Sequence, residues 1–329
     1  MFRTPIILAM SLLFCTGVQA TVFKISTEYP DGNAVLNELR AVGERIEAQT
    51  EGRVTFKFYP GGVMGDGTAV QRKIRIGQLH GTFIHSGALA ESYKNSQVLN
   101  APLLFRDFDE VDAVRAEFDP ILNQGFIDSG WHTYGLIEGG FAYAMTAVPA
   151  TDIETLKSQK LWLPANDPFS EKIARAFDIS PIVLNIGDVL TALQTGAIDA
   201  IVTPPVGAIT LQWYSRTKYL TDAPFMYTYG VIALAEKAVQ RLSEADQEIL
   251  AAELTASSKT LDTMARSDNL TAFTALESLR INIVQLVPEV RAAFEQEAAQ
   301  ATEKLIESGE IEQALYDRIV VVLDRIRNP

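Results

Sequence analysis

The feature that most constrains this chain is an alternation of strand and helix patterns that runs through residues 22–83 and begins again at residue 160. In the first pass, Val22-Phe23-Lys24-Ile25-Ser26 reads as a strand and Tyr29-Pro30-Asp31-Gly32 as a turn. Val35, Leu36, Leu39, Val42 and Ile46 then fall on one face at helical spacing, and Glu51-Gly52 closes that helix. Val54, Phe56 and Phe58 alternate with Thr55 and Lys57, the period of a half-buried strand. A loop, Tyr59-Pro60-Gly61-Gly62-Val63-Met64-Gly65, leads into a second helix from Asp66 to Ile76. Gly77 stops it, and a strand starts near Gly81.

The second pass has the same grammar. Lys160 to Leu163 reads as a strand, and Asp167 is placed to cap a helix whose first position is Pro168. Phe169, Ile173 and Phe177 share one face of it. A strand at 182–184, a helix carrying Val189, Leu190 and Leu193, a stop at Gly196 and a strand at 198–202 complete the repeat. Alternation of this kind predicts a mostly parallel sheet. Its repetition predicts two similar α/β lobes with a ligand between them.

The last hundred residues read as largely helical. Ser243 and Asp246 mark a helix start, and apolar residues recur from Ile249 to Leu279. They predict either one helix of about 35 residues or two stacked ones. A strand at 281–284 and a helix after Pro288 follow.

Residues 1–20 read as an export signal: Arg3 is the positive start, residues 6–14 are apolar but for Ser11, and Val18-Gln19-Ala20 offers small residues for cleavage. The apolar run is shorter than the roughly 20 residues that span a bilayer. The single cysteine, Cys15, falls inside this leader, behind Phe14 rather than the small residue that lipid anchoring favours. Its removal excludes thiol nucleophiles, disulfides and thiolate metal sites from the exported chain. The formal charge of −13 keeps such a chain solvated and argues against nucleic acid or anionic lipid as partner. A pocket can still carry either sign locally.

Catalytic and cofactor signatures are absent. The three histidines, His80, His85 and His132, show no metal-ligand spacing. The glycine loop at 61–67 has neither the GxGxxG order nor a following Lys-Ser/Thr. Ser86 beside His85 lacks the GxSxG setting of a nucleophile elbow. No cofactor and no metal are expected.

Four segments, taken in order, carry a family resemblance. They are Phe58-Tyr59-Pro60-Gly61-Gly62-Val63-Met64-Gly65, the helix–Gly–strand element at 72–81, Leu156-Lys157-Ser158-Gln159-Lys160-Leu161-Trp162-Leu163-Pro164, and above all residues 188–200. Together they resemble the periplasmic solute-binding subunits, of the DctP type, of tripartite ATP-independent periplasmic (TRAP) transporters. The resemblance implies an α/β two-lobed clamshell, the periplasmic-binding-protein fold, with a long helix behind both lobes. It also implies a small-molecule ligand in the interlobe cleft, hinge closure, and two membrane partners, a small and a large integral subunit that use an ion gradient. Lobe I is expected to comprise residues 21–145 with 230–267, and residues 146–229 with 268–329 to form lobe II and the C-terminal helices. Receptor subunits of signalling systems share this fold, and a periplasmic enzyme is the remaining alternative.

The departures from the family bear on the ligand. At Trp162 the resemblance implies an arginine that grips a ligand carboxylate, and at Thr203 an asparagine that helps hold it. Phe141-Ala142-Tyr143 lacks a further arginine that some members place there. Trp162 is expected either to form a ligand platform or to pack in the core. Thr203 is a pocket hydroxyl or a plain strand end, and Ile186 a pocket wall. Tyr29, His85 and Ser86 come from first-lobe strand ends, where α/β sheets meet ligands. Asn166 either donates to ligand or shapes its turn; Tyr227 belongs to pocket or core, and Trp213 to core. These features point to a neutral or cationic ligand, ringed or apolar at one end, unless Arg216 or Lys218 swings in to replace the missing arginine.

Overall fold

The computed structural model describes residues 20–165 and 167–328. The expected export signal, but for Ala20, and Asn166 lie outside the described residues.

The first pass forms as expected: β1 (Thr21–Thr27), α1 (Ala34–Gln49), β2 (Val54–Tyr59), α2 (Gly67–Arg75) and β3 (Gly81–His85). Side chains fix the helix starts. Asn33 accepts the Val35 N–H to begin α1, and Asp66 accepts the Ala69 N–H to begin α2. Gly77, at φ +76°, lets the chain leave α2 in the left-handed region.

Next come α3 (Phe108–Asp128) and β4 (Trp131–Thr146), in a stretch whose sequence shows no clear period. The second pass is α4 (Ile153–Lys157), β5 (Leu161–Pro164), α5 (Pro168–Ala176), β6 (Ile182–Leu184), α6 (Val189–Thr195), β7 (Ala200–Thr203) and α7 (Pro205–Thr210). The chain ends with β8 (Tyr219–Thr221), β9 (Met226–Ala235), α8 (Glu236–Val239), α9 (Glu244–Ser278), β10 (Asn282–Val284), α10 (Pro288–Glu307) and α11 (Gln313–Arg327). The 243–279 stretch is thus one 35-residue helix, begun at Ser243, whose hydroxyl accepts the Asp246 N–H.

All strands join in one mixed, mostly parallel sheet of order β2-β1-β3-β9-β4-β7-β5-β6, with β8 on the far end of β4 and β10 on β8. β4 ties the halves together. It pairs with β9 from Trp131 to Ala142 and with β7 from Tyr143 to Thr146. Register fixes the geometry of the cleft. β1, β2 and β3 run toward the second half, while β7, β5 and β6 run back toward the first. His85 lies opposite Gly230, which lies opposite Ile137, whereas Thr203 lies opposite Tyr143. Six residues of β4 therefore separate the two sets of carboxyl ends, about 20 Å at the usual rise of a strand.

Among the described residues four cores hold the layers, the smallest around Leu156, Leu286 and Phe294. Phe23, Leu39, Ile46, Leu250 and Leu254 pack between β1, α1 and α9. Trp162, Val189, Trp213, Leu220 and Leu276 pack in the second half. A third core, with Val114, Phe118, Leu163, Phe169, Ile173 and Ile319, runs behind both halves. One boundary needs correction. α11 does not stay with the second half: it returns to α3, where Arg327 Nε and Nη2 grip the Glu110 carboxylate at 2.7 and 2.8 Å. Leu315, Ile319, Val322 and Leu323 of α11 are buried in the core behind both halves, and that apolar face, with the ion pair at its end, holds the last helix on α3.

Candidate functional site: the cleft between opposed strand ends

From the first lobe the cleft receives Tyr29 after β1, the 60–66 loop after β2, and His85 with Ser86 at the end of β3. The Tyr29 carbonyl accepts the Gly61 N–H at 2.9 Å, and the Thr27 carbonyl accepts that of Gly62 at 3.1 Å, so the β1 and β2 ends are one rigid rim. Gly61 and Gly62 make this possible at φ +66° and +69°.

The Tyr29 ring stacks on Phe83, 5.3 Å between centroids at 17°. It keeps 38% of its surface open. Even so, loss of water around the phenol, and then the Glu28 charge, push its pKa up to about 12. An open ring hemmed in by protein is what a concave wall produces. Among the described site candidates that carry a ring, Tyr29 keeps the most open surface.

Ser86 is turned inward. It is buried; its hydroxyl donates to Asn100 Oδ1 at 3.0 Å, and Asn100 Nδ2 donates to the Tyr227 carbonyl at 2.7 Å. Gln97 Nε2 donates to the Ser86 carbonyl at 2.6 Å. Ser86 therefore stiffens the rim instead of offering a free hydroxyl. His85, half-buried, is the last residue of β3 and stands at the rim.

The second lobe supplies Ala165 and Asp167 after β5, Asn185 with Ile186 after β6, and Thr203 at the end of β7. Ile186 is 46% exposed, as a pocket wall in an open cleft would be. Thr203 is buried, its Oγ1 3.4 Å from the Pro204 carbonyl and packed against Gly207 at the start of α7. Its hydroxyl serves the turn into α7.

Trp162 is the main correction. Its ring is 3% exposed and meets Trp213 edge to face at 5.0 Å, while Nε1 donates to the Leu184 carbonyl at 3.0 Å. The one donor of the indole is used and both faces lie in the core. The structure thus takes the core alternative over the platform. Tyr227 is likewise interior: fully buried, edge-on to Phe105 and Phe141, with its hydroxyl accepting from Arg115 Nη1 at 3.1 Å. Burial drives its pKa far up. A substitute cation is also not at hand. The Lys218 N–H bonds the Thr146 carbonyl, and Arg216 is two residues earlier, so both lie at the end of β7 away from Thr203.

Sequence patterning did not reveal the polar seam beside the cleft. In the first lobe β4 is the sheet edge, and side chains from α3 and α9 cover its free backbone groups. Arg115 Nη2 donates to the Leu136 carbonyl at 2.9 Å, Asp262 accepts the Glu138 N–H at 2.7 Å, and Asn269 Nδ2 donates to the Gly139 carbonyl at 2.9 Å. This is how an exposed edge is protected from pairing with another chain. Asn269 also accepts the Val206 N–H at 3.3 Å, joining the edge to α7 of the second lobe. A groove of about 370 Å³ lined by Asp112, Arg115, Asp119 and Asp262 lies along this edge, outside the cleft. Isolated charges spaced along two helices leave no sequence signal for it.

A two-lobed α/β chain with opposed strand ends, joined by two long strands and one long helix, defines a periplasmic binding protein. The chain belongs to the bacterial extracellular solute-binding protein family 7, DctP, whose family model matches residues 25–308. Members of this family are the periplasmic solute receptors of TRAP transporters. The sialic acid-binding periplasmic protein of Vibrio cholerae is 23% identical over 276 residues, covering 82% of this chain and 85% of the relative. The ectoine/5-hydroxyectoine-binding periplasmic protein of Ruegeria pomeroyi is 23% identical, covering 80% and 79%. Among solved structures, the sugar acid binding protein of Advenella mimigardefordensis in complex with galactonate superposes with a TM-score of 0.82 at 17% identity, covering 93% of this chain and 99% of that one. A Bordetella pertussis extracytoplasmic solute receptor binding pyroglutamic acid gives 0.81 at 18% identity, covering 92% and 99%. No helix among the described residues is long and apolar enough to cross a membrane.

Proposed function

We propose that this chain is the exported receptor of a TRAP system, which captures a small organic molecule between its lobes and delivers it to a small and a large integral membrane subunit. Residues 1–20 would direct export and be removed. The observation that carries the proposal is the opposition of the two sets of strand ends across about 20 Å of β4. It creates a cleft whose walls are joined at the back by β4, β9 and α9 and by the return of α11 to α3, an arrangement in which the lobes close by hinge motion.

The ligand does not rest on position 162. Relatives named for sialic acid or ectoine, and structures holding galactonate or pyroglutamic acid, support a small polar metabolite as the class. With Trp162 spent on Leu184 and Trp213, the guanidinium grip that the family resemblance implies has no counterpart on β5.

The test begins with the mature protein, unfolded and refolded to strip carried ligand, and heated with a broad metabolite panel. A compound at 100 times its dissociation constant adds about 2.7 kcal/mol of stability. Uptake of that compound into vesicles containing the two membrane subunits, only when the receptor is present, completes the case. Turnover of the compound, or delivery of its signal to a sensor without uptake, would reassign the chain.

A further inference from the structure

Gly87 is where the two walls of the cleft touch. It is the second residue of the Ser86–Leu89 3₁₀ turn that follows β3, and it is buried. A Cβ built on it would lie 2.5 Å from Oδ1, 2.7 Å from Cγ and 2.8 Å from Oδ2 of Asp167, the residue that caps α5 after β5. Carbon does not approach a carboxylate that closely, so the spacing of the β3 and β5 ends depends on residue 87 having no side chain. Its φ lies outside the left-handed region, so the need is for space and not for an unusual backbone.

Neither side of the contact yields freely. Asp167 Oδ1 accepts the Ser170 N–H at 3.0 Å and Oδ2 the Ser170 hydroxyl at 2.6 Å, so turning the carboxylate away gives up the cap of α5. On the other side, Ser86 is pinned by its bonds with Asn100 and Gln97. The contact also continues into buried structure. Ala88, Leu89, Phe169 and Ile173 share the core behind both halves, α5 packs on the Ser86–Leu89 turn, and farther along Lys94 Nζ donates to the Gly309 carbonyl at 3.2 Å. Surfaces packed in this way stay together while hinge segments bend. We propose that Gly87 and the capped Asp167 carboxylate are the bearing on which the two lobes turn. Gly87 is then the positioning residue that sets how near the lobes come. This deepens the receptor function proposed above and rests on it, because a bearing serves only lobes that move about a ligand.

The distance between the lobes tests the assignment. The only cysteine, Cys15, falls in the expected leader. Spin labels on Ala48→Cys in α1 and Gln194→Cys in α6, both exposed, therefore report lobe separation in the exported, unliganded protein. A methyl at residue 87 needs about 1 Å of extra room to reach ordinary contact distance. Gly87→Ala should shift the mean label distance by about 2 Å or more, since a small wedge at a pivot is magnified at the far ends of the lobes. In an Asp167→Gly background the crowding atoms are gone and glycine is a tolerated cap, so there Gly87→Ala should shift nothing. An unchanged distance in Gly87→Ala alone, whatever its melting temperature, overturns the bearing, because the carboxylate has then simply moved aside. An equal shift in both backgrounds also overturns it. Should Gly87→Ala fail to fold, recovery of folding and of the native distance in the double variant upholds the proposal, and no recovery overturns it. No ligand enters these readings, so their failure leaves the receptor function standing, and that function falls only by its own metabolite and uptake tests.

Discussion

Arg266 reaches from α9 to Glu138 on β4, its Nε 3.1 and 3.0 Å from the two carboxylate oxygens, while its Nη atoms hold Asp112 at 2.8 Å. Glu138 has no exposed side-chain surface. Burial pushes its pKa up, and the hydrogen bond and charge of Arg266 pull it only part of the way back. A carboxyl whose folded pKa is raised contributes stability that is complete below the unfolded value and is lost as pH rises through the folded one. The unfolding free energy of the native protein, relative to Glu138→Gln, should therefore fall as pH rises from about 4 toward neutrality. At neutral pH, Arg266→Ala strands the carboxylate and should cost about 3–5 kcal/mol by urea unfolding. A loss near zero would mean that the pair is not buried as described.

Glu110 should behave in the opposite sense. Burial raises its pKa, but the hydrogen bonds from Arg327 and the Arg106 N–H, with the charges of both arginines, outweigh that and hold it below the ordinary value. A depressed carboxyl supplies stability above its unfolded pKa and loses it as pH falls through the folded one. Acid titration of unfolding should show native protein and Glu110→Gln converging below about pH 4. Truncation before Arg327 should mimic the variant, because the same ion pair fastens α11 to α3.

Trp162→Phe separates core from cleft. The ring volume is largely kept, but the Leu184 carbonyl loses its donor, a cost of about 1–3 kcal/mol. Ligand affinity should stay within about twofold of native, since neither face of the indole reaches the cleft. Trp162→Ala should cost about 3–5 kcal/mol through the cavity it leaves. A variant that keeps its stability but loses binding would restore Trp162 to the site.

The strand–helix units flanked by capping residues and glycine stops were legible because each carries a local signal. Asn33, Asp66, Asp167 and Ser243 cap the helices they precede. Residues 86–146 were not legible. α3 carries Pro120 in its interior and charged residues on its buried side, such as Glu110 and Arg115, whose partners lie far along the chain. β4 changes partner at residue 142, so its two faces have different neighbours in its two halves. At the site, strand ends alone put Tyr29 and Ile186 among the candidates, and both keep open surface. Trp162, Thr203, Ser86 and Tyr227 could not be told apart from them, because a strand position fixes which way a side chain points but not whether a neighbour already occupies its polar atoms.

Asn269 is the residue whose removal should change how the lobes move. Its Nδ2 donates to the Gly139 carbonyl and, one turn back on α9, to that of Ala265, each at 2.9 Å, while Oδ1 accepts the Val206 N–H at 3.3 Å. Gly139 stands at the register shift of β4, beside Gly140, whose φ of +89° leaves room for the amide; a Cβ there would come within 2.6 Å of Nδ2. The amide is thus a peg between the bent edge of the first lobe and the first turn of α7 in the second. Asn269→Ala leaves a carbonyl and an N–H unpaired, about 1–3 kcal/mol for each group that stays buried. Hydrogen exchange at the Val206 amide should speed up as the variant loses stability. Asn269→Asp distinguishes a hinge role from general weakening: it can still accept from Val206 but cannot donate to Gly139. In Asn269→Asp the Val206 amide should stay protected while solution scattering of the unliganded protein shifts toward a wider lobe separation. Equal loss of protection in both variants would mean that Asn269 only fills space between α9 and β4.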